Sequence, residues 1–196
     1  MKKYLALGDS YTIGEAVDMK DNFPYQLCDI LNRENQAYAP PKIIAKTGWT
    51  TDELASAIAI DKPAFDHHLV TLLIGVNNQY RGRSTEEYYW QFYSLICQAI
   101  LFAKSIPENV FVLSIPDWGL TPFNKDRNKA EVSKQIDEFN AINNEIAMRF
   151  GANYIDVTAS TRDHAENTEY LAQDLLHYSA KEYTVWANKI AGKLMK

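Results

Sequence analysis

Residues 3–12 read KYLALGDSYT, an apolar run followed by small and polar residues. Its first half, Lys3–Leu7, is short and continuously apolar after the first lysine, which is typical of a parallel strand covered on both faces. Gly8, Asp9 and Ser10 follow at once and are residues that favour a turn. The stretch therefore predicts a buried strand that ends by presenting a serine at the edge of a sheet.

The same kind of short apolar run returns along the chain, and amphipathic helical patterns separate the runs. An alternation of strands and helices predicts an α/β fold, here a three-layer α/β/α sandwich with a five-stranded parallel sheet. No linker or repeat interrupts it, so we expect a single domain over residues 1–196. The further strands predicted are Lys42–Ala45, His68–Ile74, Asn109–Ile115 and Asn153–Val157.

Helix starts are marked by a serine or threonine followed three residues later by a glutamate, the pattern of a capping box. Three pairs fit this pattern: Thr50 with Glu53, Ser84 with Glu87, and Ser179 with Glu182. The longer helices predicted are Asp21–Arg33, Ser84–Lys104, Asn128–Phe150 and Ser179–Met195.

Composition and charge argue against a nucleic-acid or membrane partner. The formal net charge is -5 and the basic residues are scattered, so we expect no nucleic-acid partner. The apolar runs are far shorter than the roughly 20 residues that cross a bilayer, which predicts a soluble chain without stable membrane insertion. The apolar segment at the start is too short for a secretory signal, and Cys28 and Cys97 fit reduced thiols, so we expect a cytoplasmic protein. The oligomeric state stays open.

Chemically suggestive groups fall where the predicted strands end. In parallel α/β sheets, ligands bind in the crevice beyond the carboxyl ends of the strands. The sequence places several such groups on that one edge, and their convergence predicts a functional site there. The groups are Ser10, Gly48, Asn77, Asp174 and His177.

Ser10, His177 and Asp174 are the candidate catalytic residues. A serine becomes a nucleophile when a base takes its proton and a third group orients that base. Asp174 lies three residues before His177, a spacing that lets its carboxylate reach Nδ1 of the ring. Taken singly, a Gly-Asp-Ser turn or a histidine before a helix is more often structural. The remaining histidines, predicted to lack an acidic partner, are His67, His68 and His164.

Gly48 and Asn77 are candidate donors to an oxyanion, together with the backbone N–H of Ser10. A glycine lets a backbone N–H approach a substrate, and a side-chain amide donates directly. Each also has a structural explanation, because glycine makes turns and asparagine stabilises its own loop. Their occurrence together with Ser10 and His177 favours the catalytic hypothesis.

Four segments, in this order, resemble the sequence blocks of the SGNH hydrolase superfamily, also called the GDSL type. The resemblance spans nearly the whole chain and implies a flavodoxin-like sandwich. It also implies that Ser10, Gly48, Asn77 and His177 have the roles for which the superfamily is named, with Asp174 as third member of the triad. The segments are Gly8-Asp9-Ser10-Tyr11-Thr12, Gly48-Trp49-Thr50-Thr51, Gly75-Val76-Asn77-Asn78 and Asp174-Leu175-Leu176-His177.

The resemblance implies a serine esterase or acyl-hydrolase that works through an acyl-enzyme with no metal and no cofactor. Two positions depart from the family pattern. Tyr11 replaces the leucine of the GDSL motif, and Asn78 stands where aspartate is usual. The second departure leaves open how the loop that carries Asn77 is supported.

The expected substrate is a small-molecule ester, and its acyl group is not determined by the sequence. Lipid-like, thioester and acetylated-sugar substrates all stay open. Aromatic residues in the strand-exit loops are candidates for substrate contact, although each is individually more often a packing residue. They are Trp49, Tyr80, Trp118 and Phe123.

Two other functions stay open at this point. A metal-dependent phosphoesterase would use Asp9, Asn77, Asp174 and His177 as ligands, although such centres gather more carboxylates or histidines. A non-catalytic flavodoxin-like binding module is the other, because one fold hosts many functions. Asp9 would repel a phosphate at the turn after the first strand, which disfavours a nucleotide or flavin site there.

Overall fold

The computed structural model describes residues 1–195, so Lys196, the last residue of the predicted domain, lies outside the described residues. The α/β prediction is confirmed: five parallel strands form one sheet with helices on both faces. Each predicted strand is present, and its ends differ from the prediction by at most two residues. The strands are β1 (Tyr4–Gly8), β2 (Lys42–Ala45), β3 (Leu69–Leu73), β4 (Val110–Leu113) and β5 (Asn153–Ile155).

The strand order is β2-β1-β3-β4-β5, which is the flavodoxin-like order. From β1 the chain crosses to β2 on one side, and from β2 it returns across β1 to β3 on the other. Gly8, the last residue of β1, therefore pairs with Ala45 of β2 and with Leu73 of β3. The order reverses at β1 and β3, and a ligand crevice is expected beyond their carboxyl ends.

The helices form two layers. On one face α2 packs against α8, and on the other α5 packs against both α3 and α6. No helix within residues 1–195 is long and apolar enough to cross a membrane. The helices are α1 (Ser10–Ile13), α2 (Phe23–Arg33), α3 (Thr51–Asp61), α4 (Val76–Tyr80), α5 (Thr85–Phe102), α6 (Lys129–Phe150), α7 (Thr158–Asp163) and α8 (Ala180–Leu194).

The predicted helix starts have different outcomes. Thr50 and Glu53 form the expected capping box at α3, and the Ser84 hydroxyl accepts the N–H of Glu87 at α5. The capping box predicted for Ser179 and Glu182 is wrong. The Ser179 hydroxyl donates instead to a backbone carbonyl of the preceding loop, and the Glu182 side chain is fully buried.

Gly8 allows β1 to lie close to its neighbours. Its φ angle is not positive, so the glycine is not needed for a left-handed turn. A Cβ at Gly8 would lie 2.4 Å from the carbonyl oxygen of Leu73 and 2.1 Å from Oγ1 of Thr12. The absence of a side chain therefore allows β1 and β3 to pair as far as Gly8, two residues before Ser10.

Gly8→Ala is expected to lower the free energy of unfolding by about 1–3 kcal/mol, because the added methyl meets backbone that cannot move aside. Gly192→Ala is the matched control, since a Cβ at this position in α8 meets no atom within 4 Å. It should raise stability by about 1 kcal/mol through helix propensity. Urea unfolding measures both, and an equal effect of the two substitutions would contradict the close approach at Gly8.

Candidate active site

Ser10 lies directly beyond β1, as the first residue of the single turn α1. Asp9 caps this turn, because its Oδ1 accepts the N–H of Tyr11 at 3.1 Å. The turn ends at Gly14, which adopts the left-handed conformation with φ 75°. The tight turn holds the Ser10 hydroxyl at the carboxyl edge of the sheet, with 5% of the residue exposed.

Asp174 and His177 form one compact turn before α8. Oδ2 of Asp174 lies 2.6 Å from Nδ1 of His177, while Oδ1 accepts the backbone N–H groups of His177 at 2.9 Å and Leu176 at 3.0 Å. Burial alone would raise the pKa of Asp174. The hydrogen bonds from the His177 ring and from the two backbone N–H groups outweigh burial, so the pKa lies below its usual value.

The Asp174 carboxylate fixes the orientation of the imidazole. An ionised carboxylate only accepts hydrogen bonds, so Nδ1 of His177 carries the hydrogen in this contact. In the neutral ring Nε2 then has the free lone pair and is the atom that can take a proton. Tyr11 packs its buried ring at an angle of 60° to the imidazole, with 5.6 Å between ring centres. The replacement of leucine by Tyr11 thus adds an aromatic support behind the histidine.

Ser10 and His177 line the same cavity, whose volume is about 230 Å³. Within residues 1–195 the Ser10 hydroxyl and Nε2 of His177 form no hydrogen bond with each other or with another group. Such catalytic hydrogen bonds often tighten only when substrate is bound. The structure thus brings the candidate nucleophile and base to one cavity, with the oriented Nε2 as the remaining acceptor of the ring.

Three residues that carry candidate N–H donors line the same cavity, namely Ser10, Gly48 and Asn77. In the part of the chain that the structure describes, the backbone N–H groups of Ser10 and Gly48 donate no hydrogen bond. Asn77 is the second residue of α4, and its Nδ2 donates to the Trp49 carbonyl at 2.9 Å. A side-chain amide has two N–H donors, so one of them stays free for a ligand.

The loop that carries Gly48 is held from outside the cavity. Gly48 has a φ of 84°, a left-handed conformation that favours glycine. Its carbonyl accepts a hydrogen bond from Nη2 of Arg81 at 2.6 Å, and the same guanidinium pairs with Glu53 at 3.3 Å. The Arg81 contact fixes the plane of the peptide that follows Gly48 and so supports this loop.

Asn78 supports the loop in place of the family's usual aspartate. The residue is fully buried, and its Oδ1 accepts the backbone N–H of Thr51 at 3.1 Å. Its Nδ2 donates to the Thr51 hydroxyl at 2.7 Å. The neutral amide therefore links the segments that follow β2 and β3. Asn78 thus supports the loop that carries Asn77 without a carboxylate.

The four aromatic candidates for substrate contact separate into two groups. Tyr80, Trp118 and Phe123 line the cavity with Ser10. Trp49 does not, because its side chain is half-buried against the core. Only the Trp49 carbonyl takes part, as the acceptor for Asn77.

The expectation that His164 lacks an acidic partner is wrong. Its Nδ1 lies 2.7 Å from Oε2 of Glu182, whose Oε1 accepts from the Ser160 hydroxyl at 2.7 Å and from Nε1 of Trp186 at 2.8 Å. The imidazole also stacks on Tyr170, with ring centres 3.7 Å apart. The pattern Ser179-x-x-Glu182 resembled a helix cap, whereas the structure uses Glu182 to hold both ends of the loop that carries Asp174 and His177.

Asp9 is a second residue whose environment the sequence did not reveal. Burial raises the pKa of its carboxyl to about 7, against the opposing hydrogen bond from the Tyr11 N–H. Its second oxygen, Oδ2, has no hydrogen-bond partner in residues 1–195. The carboxyl next to the candidate nucleophile is therefore costly to ionise.

Within the described residues, no three His, Cys, Asp or Glu side chains are grouped as ligands for a metal ion.

The chain belongs to the GDSL-like lipase/acylhydrolase family, whose model matches residues 6–185. It is accordingly a hydrolase of that family. No curated protein matches the chain by sequence.

Solved structures of distant sequence share the fold. The chain is similar to a lipase/acylhydrolase from Enterococcus faecalis, with 18% identity, a TM-score of 0.76 and coverage of 99% of this chain and 95% of that one. It is also similar to Axe2, an acetylxylan esterase from Geobacillus stearothermophilus, with 15% identity, a TM-score of 0.75 and coverage of 98% and 94%. Esterase EstA from Pseudoalteromonas sp. gives 14% identity, a TM-score of 0.70 and coverage of 100% and 97%.

Asp9→Asn is expected to raise the free energy of unfolding more at pH 8 than at pH 5. The folded-state pKa of about 7 lies above the ordinary 3.8, so the folded protein holds the proton more tightly and loses stability as pH rises through this interval. Asparagine keeps the acceptor for the Tyr11 N–H and cannot ionise. The change in the stability difference between pH 5 and pH 8 should be on the order of 2 kcal/mol.

Thermal or urea unfolding at the two pH values measures this difference. Asp29→Asn, an exposed position in α2, is the control and should show no such pH dependence. A stability difference for Asp9→Asn that is constant with pH would show that burial does not impede ionisation of this carboxyl.

Proposed function

We propose that this hydrolase cleaves small-molecule carboxylic esters through an acyl-enzyme, with Ser10 as nucleophile, His177 as base and Asp174 as the residue that orients the base. The observation that carries the proposal is the oriented imidazole. Asp174 holds Nδ1 at 2.6 Å, and the ring lines the same cavity as the Ser10 hydroxyl. Such an arrangement suits acyl transfer.

In the first half of the reaction, Ser10 Oγ attacks the ester carbonyl while Nε2 of His177 takes the hydroxyl proton. The carbonyl oxygen becomes an anion, and the imidazolium is stabilised by the Asp174 carboxylate. His177 then gives its proton to the leaving oxygen, the bond between the carbonyl carbon and that oxygen breaks, and the alcohol departs. The acyl group remains on Ser10.

In the second half, water takes the place of the alcohol. Nε2 of His177 removes a proton from the water, whose oxygen attacks the acyl carbon. The ester bond to Ser10 breaks as His177 returns the proton to Oγ. The products are a carboxylic acid and the original enzyme, so the cycle balances without a cofactor.

The oxyanion of each tetrahedral intermediate is assigned to the N–H groups of Ser10 and Gly48 and to Nδ2 of Asn77. All three residues line the cavity, and the two backbone donors have no protein acceptor within residues 1–195. Donors that are fixed before the reaction stabilise developing charge without reorganisation.

The acyl group proposed is short. The cavity of about 230 Å³ has an apolar wall that includes Tyr11, Val76 and Leu176. A small apolar cavity favours an acyl group of few carbons over a long fatty chain. The acetyl esters implied by the description of Axe2 as an acetylxylan esterase fit this range, which supports small acyl groups as substrates.

Ser10→Ala is expected to lower kcat/KM for p-nitrophenyl acetate by a factor on the order of 10⁴ and to abolish covalent labelling by a fluorophosphonate. The labelled wild-type peptide should contain Ser10. Ester hydrolysis with graded chain length, from acetate to decanoate, measures the preference for short acyl groups.

Ser160→Ala is the matched control, because the Ser160 hydroxyl bonds a carboxylate, Glu182, that also contacts a histidine, His164. The Ser160 hydroxyl is buried, donates to Glu182 and does not line the cavity with Ser10. The fluorophosphonate should therefore still label Ser10 in this variant. Persistent labelling of Ser10→Ala, or loss of labelling only in Ser160→Ala, would overturn the proposed function.

A further inference from the structure

A second cavity, of about 400 Å³, adjoins the one that contains Ser10. The two cavities share three wall residues, Tyr80, Trp118 and Phe123. Asp174 and Leu175, which precede His177 in its turn, also line the second cavity. A substrate with its carbonyl at Ser10 can therefore extend past the aromatic residues into the second cavity.

The reaction chemistry indicates which part of a substrate would lie there. In the proposed mechanism His177 donates its proton to the oxygen of the departing alcohol, so that oxygen must lie beside Nε2. The acyl group extends away from it. The second cavity adjoins the one that contains Ser10 and His177 and is bordered by Asp174 and Leu175, so it is a candidate site for the departing alcohol.

Two cations line the second cavity, Lys125 and Arg127. Among residues 1–195 neither has a carboxylate within 4.0 Å. Other arginines near this edge of the sheet, Arg81, Arg83 and Arg162, all pair with carboxylates. A guanidinium in a cavity that has no carboxylate partner can bind an anionic ligand.

Contacts with two aromatic rings and a backbone carbonyl hold the Arg127 guanidinium in place. Its guanidinium carbon lies 4.2 Å from the centre of the Tyr80 ring and 5.4 Å from that of Trp118, and Nη1 donates to the Tyr80 carbonyl at 3.1 Å. The buried Asn124 side chain accepts the backbone N–H of Arg127 at 3.0 Å and donates to its carbonyl at 3.1 Å. The bond from Nη1 to the Tyr80 carbonyl is the one hydrogen bond of this guanidinium within residues 1–195. A guanidinium held on aromatic rings loses little entropy when it binds a carboxylate or a phosphate.

We propose that the second cavity binds the departing alcohol of the ester and that Arg127 pairs there with a carboxylate or phosphate on that alcohol. The proposal rests on the proposed function and names its substrate class: short acyl esters of an anionic alcohol. Asp126 also lines the cavity, and its negative charge weakens the attraction for an anion. Its removal should therefore strengthen the preference.

The test compares two esters with the same acyl group and leaving groups of similar shape. 4-Acetoxybenzoate carries a carboxylate, and methyl 4-acetoxybenzoate is its neutral counterpart. The quantity measured is kcat/KM for the anionic ester divided by kcat/KM for the neutral one. The intrinsic reactivity of the two esters cancels when this ratio is compared between wild type and a variant.

Arg127→Gln should lower the ratio about fivefold to tenfold, and Arg127→Lys should lower it less, because the charge stays while the planar contact is lost. Asp126→Asn should raise the ratio about twofold, on the scale of a partly exposed charge pair. Lys129→Gln is the matched control. It removes the same charge from a lysine that pairs with Glu166 at 3.7 Å and does not line the cavity, so the ratio should stay at the wild-type value.

An equal loss of both esters' hydrolysis in Arg127→Gln, with an unchanged ratio, would overturn the proposal and assign Arg127 a purely structural role. A ratio lowered equally by Lys129→Gln would overturn it as well, because net charge alone would then explain the effect. Failure of the proposed function is distinguishable, since neither ester would then be hydrolysed through Ser10. A wild-type protein that hydrolyses both esters, with a ratio unaffected by Arg127 or Asp126, refutes only the alcohol site.

Discussion

The parallel pairing of β1 between β2 and β3 is the constraint on which the site depends. Because Gly8 lies level with Ala45 and Leu73, the three loops that follow these strands emerge side by side. Ser10, Gly48 and Asn77 are far apart in sequence and become neighbours through this register. Gly8 makes the pairing possible up to the last residue of β1, since any Cβ there would meet the Leu73 carbonyl. The Ser10 hydroxyl and the candidate N–H donors are thus brought together by the backbone pairing of the sheet, and side-chain contacts of Asn78 and Arg81 support the loops.

The candidate pair Asp174 and His177 comes from a different part of the chain, and packing places it at the same cavity. Asp174 and His177 occupy a turn whose two ends are joined by backbone bonds, one of which runs from the Ala172 N–H to the His177 carbonyl. Tyr11, from the turn that carries Ser10, packs against the imidazole and against Trp186 of α8. Glu182 ties the start of the loop to α8 through its contact with His164. The candidate nucleophile and the candidate base are therefore positioned by one shared aromatic cluster.

The strands and most helix ends could be predicted because they depend on local apolar periodicity and on capping residues. The turn Asp174–His177 was equally local. Glu182 was misinterpreted, because a capping box and a buried carboxylate have the same sequence pattern, and only the packing of α7 against α8 decides between them. The burial of Asp9 and the place of Trp49 outside the cavity depend on tertiary neighbours as well. The sequence does not single out Arg127, because its position depends on tertiary contacts with the rings of Tyr80 and Trp118.

The central claim is that Ser10 and His177 act as one catalytic unit, and a double-mutant cycle tests it most directly. The measurement is kcat/KM for a short-chain ester in Ser10→Ala, in His177→Ala and in the protein with both substitutions. Residues that work in the same step lose their joint contribution when either is removed, so the double variant should be about as active as Ser10→Ala alone. If the two single losses multiply in the double variant, the residues act independently. That result would contradict a catalytic unit formed by Ser10 and His177.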